Sequence, residues 1–91
     1  MPISSHVFTI INDKGLHARA SARFVEVVEN FEADVIVEKD GLEASGSSIM
    51  GLLMLAASKG TTIKVTSNGN DSEELNLALD NLIESKFGED S

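Results

Sequence analysis

The chain contains no cysteine, which excludes a disulfide framework and any metal site built on thiolates. A small domain without disulfides and without a signal sequence is typical of the cytoplasm, and we expect the protein there. The longest nearly continuous apolar stretch, residues 49–57, is far shorter than the ~20 residues of a membrane-spanning helix. We therefore expect no membrane among its partners.

Basic residues are scarce as well. Seven Lys and Arg stand against 15 Asp and Glu, which gives a net charge of −8 at pH 7. Nucleic acids and anionic membranes attract clustered Lys and Arg, so the charge balance disfavours both as partners. The 91 residues are 42% hydrophobic and 24% charged, a balance typical of an ordered globular protein. We predict one domain over residues 1–91.

The few basic residues are unevenly distributed. Residues 44–70 contain two Lys but no Asp or Glu, and residues 12–23 contain three basic residues against one acidic residue. If these two acid-poor segments meet in space, they form a neutral-to-basic patch that suits an anionic group or an acidic partner. The alternative is that residues 44–70 are poor in acids simply because they supply the core.

Hydrophobic periodicity and turn residues predict strands and helices in the order β-α-β-β-α-β-α. Asp40-Gly41 is a strong signal for a two-residue hairpin between the second and third strands. This order is typical of an α+β fold in which helices cover one face of a sheet. The predicted strands span residues 6–11, 33–39, 42–45 and 61–67. The first two predicted helices span residues 18–31 and 49–58, and the third begins within residues 71–74 and runs through Ile83.

Capping residues mark the predicted helix ends. Ser48 and Gly60 predict the N-cap and the end of the second helix. Residues 71–74, Asp-Ser-Glu-Glu, resemble a capping box at the start of the third helix. Residues 87–91 form a polar tail that we expect to fray.

The first candidate site is the segment 15–19, Gly-Leu-His-Ala-Arg, at the junction between a turn and a helix. His17 can there present one ring nitrogen to solvent as a nucleophile. The first helical amides make an anion site suited to a phosphoryl group, and Arg19 supplies a forked donor for its oxygens. The alternative is a surface histidine that caps the helix, with Arg19 solvated.

The second candidate site is the segment 47–53, Ser-Ser-Ile-Met-Gly-Leu-Leu. This predicted helix is apolar on nearly every side, and a sheet can cover only one side, so part of it should be exposed for docking. Ser48 lies where an added phosphate would be tolerated, and the alternative is that it is only a helix cap. We predict a docking surface with an apolar centre and a basic rim, formed by Ala20, Arg23, Ile49, Met50, Leu53 and Lys59.

At these residues the sequence resembles the HPr family, the histidine-containing phosphocarriers of the bacterial phosphotransferase system. Residues 15–19 match the family's active-site motif. Residues 48–51, Ser-Ile-Met-Gly, match its regulatory-serine segment, and residues 57–60, Ala-Ser-Lys-Gly, match the end of the helix that follows. The resemblance covers essentially the whole chain, and two motifs at the right separation make it specific.

The resemblance implies a fold and a set of roles. The fold is an open-faced β-sandwich, with a four-stranded antiparallel sheet covered on one face by three helices. His17 takes a phosphoryl group on Nδ1 from phospho-enzyme I and passes it to a histidine of an EIIA protein, assisted by Arg19. Ser48 corresponds to the site of the ATP-dependent HPr kinase/phosphorylase. Such a protein is a monomeric carrier that is modified covalently, not an enzyme that turns over alone.

One residue departs from the family pattern. The family usually has Pro after the Arg of its motif, and this chain has Ala20; Pro fits in the first helical turn but is not required there. The tail at residues 86–90 and the run at 52–55 resemble the nitrogen-related NPr branch of the family. The sequence leaves the choice between the sugar and nitrogen branches open.

Two rival functions remain at this stage. A small acidic chain with a serine opening a helix could be an acyl carrier, but that class is all-helical and has an Asp before the serine, where this chain has Ser47. A regulatory HPr relative that acts by docking alone would keep the fold without needing His17 or Arg19. The two histidines lie far apart among scattered acids, and His6 is interpreted as a strand residue, so we expect no metal and no cofactor.

Overall fold

Four antiparallel strands form one sheet in the order β1-β4-β2-β3 in the computed structural model, which describes residues 3–91. Residues 1 and 2 of the predicted domain lie outside the described residues. The predicted order of strands and helices is confirmed, with one short 3-10 turn, η1, added near the end. The elements are β1 (Ile3–Thr9), α1 (Ala18–Glu29), β2 (Asp34–Lys39), β3 (Leu42–Ser45), α2 (Ile49–Met54), β4 (Thr62–Asn68), α3 (Ser72–Glu84) and η1 (Lys86–Gly88).

The sheet buries one of its faces. In β4, Ile63 and Val65 are buried and the intervening Lys64 is exposed, as expected for side chains that alternate across a strand. The helices add buried side chains to the same core: Ala20, Phe24, Val25 and Val28 from α1, Leu52 from α2, and Leu75, Leu79 and Ile83 from α3. The predicted open-faced α+β sandwich is confirmed.

The second helix ends earlier than its sequence pattern predicts. The prediction ran over residues 49–58, but α2 ends at Met54. Ala56 adopts a left-handed backbone conformation, with φ 52°, and this conformation cannot continue an α-helix. The turn directs the Ala57 carbonyl to the Leu16 amide, which donates to it at 2.9 Å. A contact with a distant part of the chain thus replaces the last turn of the predicted helix.

Only one of the predicted helix caps acts as expected. Ser48 is the N-cap of α2, and its hydroxyl accepts the Gly51 amide at 3.0 Å. Asp71 precedes α3, but its carboxylate accepts the Glu32 amide at 2.8 Å instead of an amide of α3. Gly60 lies in the loop before β4, because α2 has already ended. The strongly hydrophobic face of α3 still holds the helix where its periodicity predicted it.

The expectation that residues 87–91 fray is wrong for residues 87–89. Phe87 is 1% exposed and belongs to the hydrophobic core. The chain reverses at Lys86 and Phe87, which both have positive φ, and the Glu89 amide donates to the Lys86 carbonyl at 3.0 Å. Burial of a Phe side chain contributes about 1.5–3 kcal/mol, which holds the tail against the core. The only hint in the sequence was one aromatic residue in a polar segment.

We expect Phe87→Ala to lower the free energy of unfolding by about 3–5 kcal/mol, because it removes a fully buried aromatic side chain and leaves a cavity. Leu77→Ala is the matched control: Leu77 is 67% exposed, so its loss should change stability by less than about 0.5 kcal/mol. Denaturant unfolding of both variants makes the comparison. Equal stabilities would mean that the tail does not pack on the core.

Candidate functional site

His17 occupies the N-cap position of α1, with an extended backbone at φ −75° and ψ −176°. Its carbonyl accepts the Ser21 amide at 2.8 Å, and its side chain makes no capping hydrogen bond. The alternative that His17 caps the helix is therefore correct for its backbone and wrong for its side chain. The backbone alone begins the helix, and the imidazole is left available for other contacts.

The loop before His17 is seated on the segment that follows α2. Gly15 has φ +64°, and a Cβ atom at this position would lie 2.3 Å from the Ala57 carbonyl oxygen. Only glycine permits both this conformation and this approach. Leu16, the next residue, donates its amide to the same carbonyl at 2.9 Å. The two acid-poor segments of the sequence therefore do meet in space, beside the histidine.

The tail brings a carboxylate to the imidazole. His17 Nε2 is hydrogen-bonded to Glu89 Oε2, and the Asn12 amide donates to Glu89 Oε1 at 3.0 Å and to the Gly15 carbonyl at 2.9 Å. Burial raises the pKa of the Glu89 carboxyl, but the hydrogen bonds from His17 and Asn12 outweigh it and hold that pKa below its ordinary value. The carboxylate is thus ionised at neutral pH.

An ionised carboxylate can only accept hydrogen bonds, so the proton between His17 Nε2 and Glu89 Oε2 must belong to Nε2. In the neutral ring the lone pair is then on Nδ1. Among residues 3–91, Nδ1 has no hydrogen-bond partner, and the buried unpartnered side-chain atoms are Asn12 Oδ1, Ser67 Oγ and Asn76 Oδ1. Nδ1 is not one of these buried atoms, and the His17 side chain is 26% exposed, so Nδ1 is accessible from solvent.

Two arginines of α1 border a cleft that Glu89, the hydrogen-bond partner of His17, also lines. The cleft has a volume of about 320 Å³, and its walls are Lys14, Arg19, Arg23 and the tail residues Phe87, Gly88, Glu89, Asp90 and Ser91. Arg19 is exposed and Arg23 lies one helical turn further on, and neither forms an ion pair with any residue in 3–91. Their guanidinium groups are therefore free to bind the oxygens of an anion in the cleft.

Ala20 does not belong to the docking surface, contrary to the prediction. Its side chain is 0% exposed and packs in the hydrophobic core. As the third residue of α1 it lies on the helix face that is turned toward the core, whereas Arg19 and Arg23 border the cleft. A partner could sense Ala20 only through the position of the helix.

The apolar part of the predicted docking surface is exposed on α2. Met50 is 69% exposed, Ile49 is 39% exposed and Leu53 is half-buried, while Leu52 points into the core. Met54, which the sequence reasoning did not include, is 76% exposed and lies one turn from Met50. α2 contacts α1, so this apolar stripe and the cleft belong to neighbouring elements.

Lys59 contacts the loop before His17 through an ion pair with Asp13. Its ammonium is 2.8 Å from Asp13 Oδ1, and both side chains are well exposed. The hydrogen bond from Lys59, together with one from Ser91, lowers the pKa of Asp13 below its ordinary value. Exposed ion pairs contribute little to stability, so Lys59 can exchange this partner for another at small cost.

Three residues of this site were missed by the sequence reasoning: Asn12, Met54 and Glu89. Asn12 and Glu89 are 77 positions apart, and each belongs to a segment whose composition is typical of a turn or a tail. No local pattern predicts such a contact. Met54 could have been found from its spacing, because it lies four residues after Met50 on the same helix face.

No group of three or more His, Asp or Glu side chains in residues 3–91 could hold a metal ion. No helix within that range is long and apolar enough to cross a membrane.

Comparison with known proteins agrees with these features. Residues 4–85 match the family model described as PTS HPr component phosphorylation site. The chain is 49% identical over 80 residues to phosphocarrier protein HPr of Neisseria meningitidis serogroup A, covering 88% of this chain and 90% of the relative. It is 39% identical over 82 residues to phosphocarrier protein NPr of Escherichia coli K12, covering 89% and 91%.

A solved structure agrees over nearly the whole chain. The crystal structure of HPr-C-His from Thermoanaerobacter tengcongensis superposes with a TM-score of 0.91 at 42% identity, covering 97% of this chain and 99% of the other. The fold, the open histidine at a helix start and the sequence matches lead to one assignment. The chain belongs to the HPr family, the phosphocarriers of the phosphotransferase system.

Proposed function

We propose that His17 accepts a phosphoryl group on Nδ1 from phospho-enzyme I and passes it to a histidine of an EIIA protein. The observation that carries this proposal is the unpartnered Nδ1 of His17 at the N-terminus of α1, with Arg19 two residues further on. The membership of the chain in a phosphocarrier family supports it. No ligand other than the phosphoryl group is needed, and neither a metal nor a cofactor takes part.

The transfer is a substitution at phosphorus. The Nδ1 lone pair of His17 attacks the phosphorus atom and forms the new P–N bond, while the bond between phosphorus and the donor group of enzyme I breaks and its electron pair returns to that group. In the second transfer His17 is the leaving group and a histidine of EIIA is the nucleophile. Each step forms one bond to phosphorus and breaks another, so neither water nor a redox partner is consumed.

Arg19 is proposed to stabilise the phosphoryl group during its transfer. Negative charge on the transferring oxygens is neutralised best by donors that are already in place, and Arg19 is held by α1 without an ion-pair partner in the described residues. The unpaired amides of the first turn of α1 point toward the same anion and add to its stabilisation.

The docking surface is proposed to consist of the apolar stripe of α2 with a basic rim. Ile49, Met50 and Leu53 supply the apolar centre, and Arg23 and Lys59 supply the rim. An apolar centre excludes water during transfer, and a basic rim on a protein of net charge −8 attracts an acidic patch of a partner. We propose that enzyme I and EIIA use this surface in turn.

Ser48 is proposed to be a regulatory phosphorylation site for an HPr kinase/phosphorylase. Its hydroxyl already accepts the Gly51 amide as an N-cap, so a phosphate there would replace one hydrogen-bond acceptor with several. The phosphate would also adjoin Ile49 and Met50, in the centre of the proposed docking surface. We propose further that the protein acts as a monomer of one domain in the cytoplasm.

His17→Ala should abolish the incorporation of phosphate, because no other residue in the described chain combines a nucleophilic ring with a helix N-terminus. His6→Ala, which removes the exposed histidine of β1, is the matched control and should be phosphorylated normally. Intact-mass spectrometry after incubation with phosphoenolpyruvate and enzyme I measures the result, using sugar-type and nitrogen-type enzyme I in parallel to assign the branch. A parent protein that takes no phosphate from either enzyme would instead be a relative that acts by docking alone.

Met50→Asp should weaken binding of enzyme I about tenfold or more, because the carboxylate must be desolvated at the centre of the interface. Leu77→Asp is the matched control, since Leu77 of α3 is 67% exposed and Met50 is 69% exposed. Calorimetric titration gives the two affinities. An equal loss for both variants would exclude α2 as the specific docking site.

Ser48→Asp should slow the phosphorylation of His17 at least tenfold, since it brings a negative charge into the docking surface. Asp, Asn and Ser cap helices about equally well, so the stability of this variant should stay within about 1 kcal/mol of the parent. Ser48→Asn keeps the cap without the charge and serves as control. The initial rate of His17 phosphorylation by enzyme I is measured for each variant at a sub-saturating concentration of the carrier. If the Asp and Asn variants react at the same rate, Ser48 is only a helix cap.

A further inference from the structure

A hydrogen bond joins the tail of the chain to the ring of His17. Glu89 presents one carboxylate oxygen to His17 Nε2 and the other to the side-chain amide of Asn12. Its side chain is only 15% exposed. Phe87 anchors the tail in the core independently of this contact. The contact therefore calls for a functional explanation.

We propose that Glu89 is a positioning residue that keeps the proton of His17 on Nε2 and thereby keeps Nδ1 as the nucleophilic nitrogen. This inference rests on the proposed phosphorylation of His17. A neutral imidazole carries its proton on one of two nitrogens. The hydrogen bond that one nitrogen makes decides whether the other is protonated or holds a lone pair. A carboxylate on Nε2 selects the tautomer whose Nδ1 lone pair is open to solvent.

The carboxylate is held on both sides, which makes this selection firm. Asn12 is fully buried, and its amide donates one hydrogen to Glu89 Oε1 and the other to the Gly15 carbonyl. The hydrogen bonds also keep the pKa of Glu89 below its ordinary value, so the group remains an acceptor. Asn12 thus fixes the position of the carboxylate, and the carboxylate fixes the proton of the ring.

The same contact serves the second transfer. Attack through Nδ1 leaves the proton on Nε2, so the phosphorylated ring is positively charged and Glu89 is its counter-ion. When the phosphoryl group departs with Nε2 still protonated, the leaving group is a neutral imidazole. If Nε2 had lost its proton, the leaving group would be an imidazole anion, which is far poorer. Glu89 therefore keeps the phosphorylated carrier ready to donate.

Other charged groups surround the pair and bear on any pH profile. Lys14 of the preceding loop lies close enough to Glu89 to favour its ionised form. Arg19 and Arg23 of α1 and Asp90 of the tail face the same cleft. The arginines keep their charge at all accessible pH values, and Glu89 is already ionised at neutral pH because its pKa is lowered.

The first test uses the unmodified parent protein. Nitrogen-15 NMR of the imidazole at alkaline pH, where the ring is neutral, distinguishes a protonated Nε2 from a protonated Nδ1. We expect Nε2 to carry the proton. A ring protonated mainly on Nδ1 would overturn the inference, whatever the behaviour of any variant.

The second test compares Glu89→Gln with Glu84→Gln, which removes the same charge from the exposed end of α3. The amide of the Glu89→Gln variant can still bond Asn12 through its carbonyl oxygen but offers His17 no negative charge. We expect this variant to show a mixture of tautomers. We also expect it to pass its phosphoryl group to EIIA about tenfold more slowly, the equivalent of losing one charge-assisted hydrogen bond. Its transfer rate should fall at a lower pH than that of the parent, and Glu89→Asp should recover part of the rate.

The two hypotheses fail in different ways. If the parent accepts no phosphate, the proposed function is wrong. If the parent accepts it and Glu89→Gln matches the Glu84→Gln control in tautomer, rate and pH profile, the function stands and the role of Glu89 is wrong. Melting curves confirm that each variant compared is folded.

Discussion

The functional site depends on the contact between the loop before α1 and the segment after α2. Gly15 lies so close to the Ala57 carbonyl that no side chain fits between them, and Leu16 donates its amide to that same carbonyl. This contact ends α2 early, sets where α1 begins and joins the two acid-poor segments of an acidic chain. His17 and Lys59 are brought to one side of the molecule as a consequence.

The tail adds a carboxylate partner for the ring of His17. Phe87 is buried in the core, and its burial places Glu89 next to His17. Glu89 and His17 are far apart in sequence. The surroundings of His17 are therefore mixed in charge: Arg19 and Arg23 line the same cleft as Glu89, and the Glu89 carboxylate binds Nε2 of the ring. This arrangement suits the proposed role of His17, in which the ring first attacks phosphorus and later leaves it.

The exposed side of α2 shows a second constraint, between stability and binding. A helix of this length can bury only one side against the molecule, and Leu52 does so, while Met50 and Met54 remain in water. Unbranched methionine side chains adapt their shape to different surfaces. If this surface binds both a donor and an acceptor, as proposed, that adaptability helps it to fit both.

The sequence by itself determined the order of the elements, the hairpin at Asp40-Gly41, the cap at Ser48 and the candidate histidine. These features depend on periodicity and turn chemistry within a few residues, so local patterns reveal them. Only the tertiary structure decided that α2 stops at Met54, that Ala20 is buried and that the tail returns to His17. Those outcomes result from packing between segments far apart in the chain, where the free energy of a long-range contact outweighs the local preference.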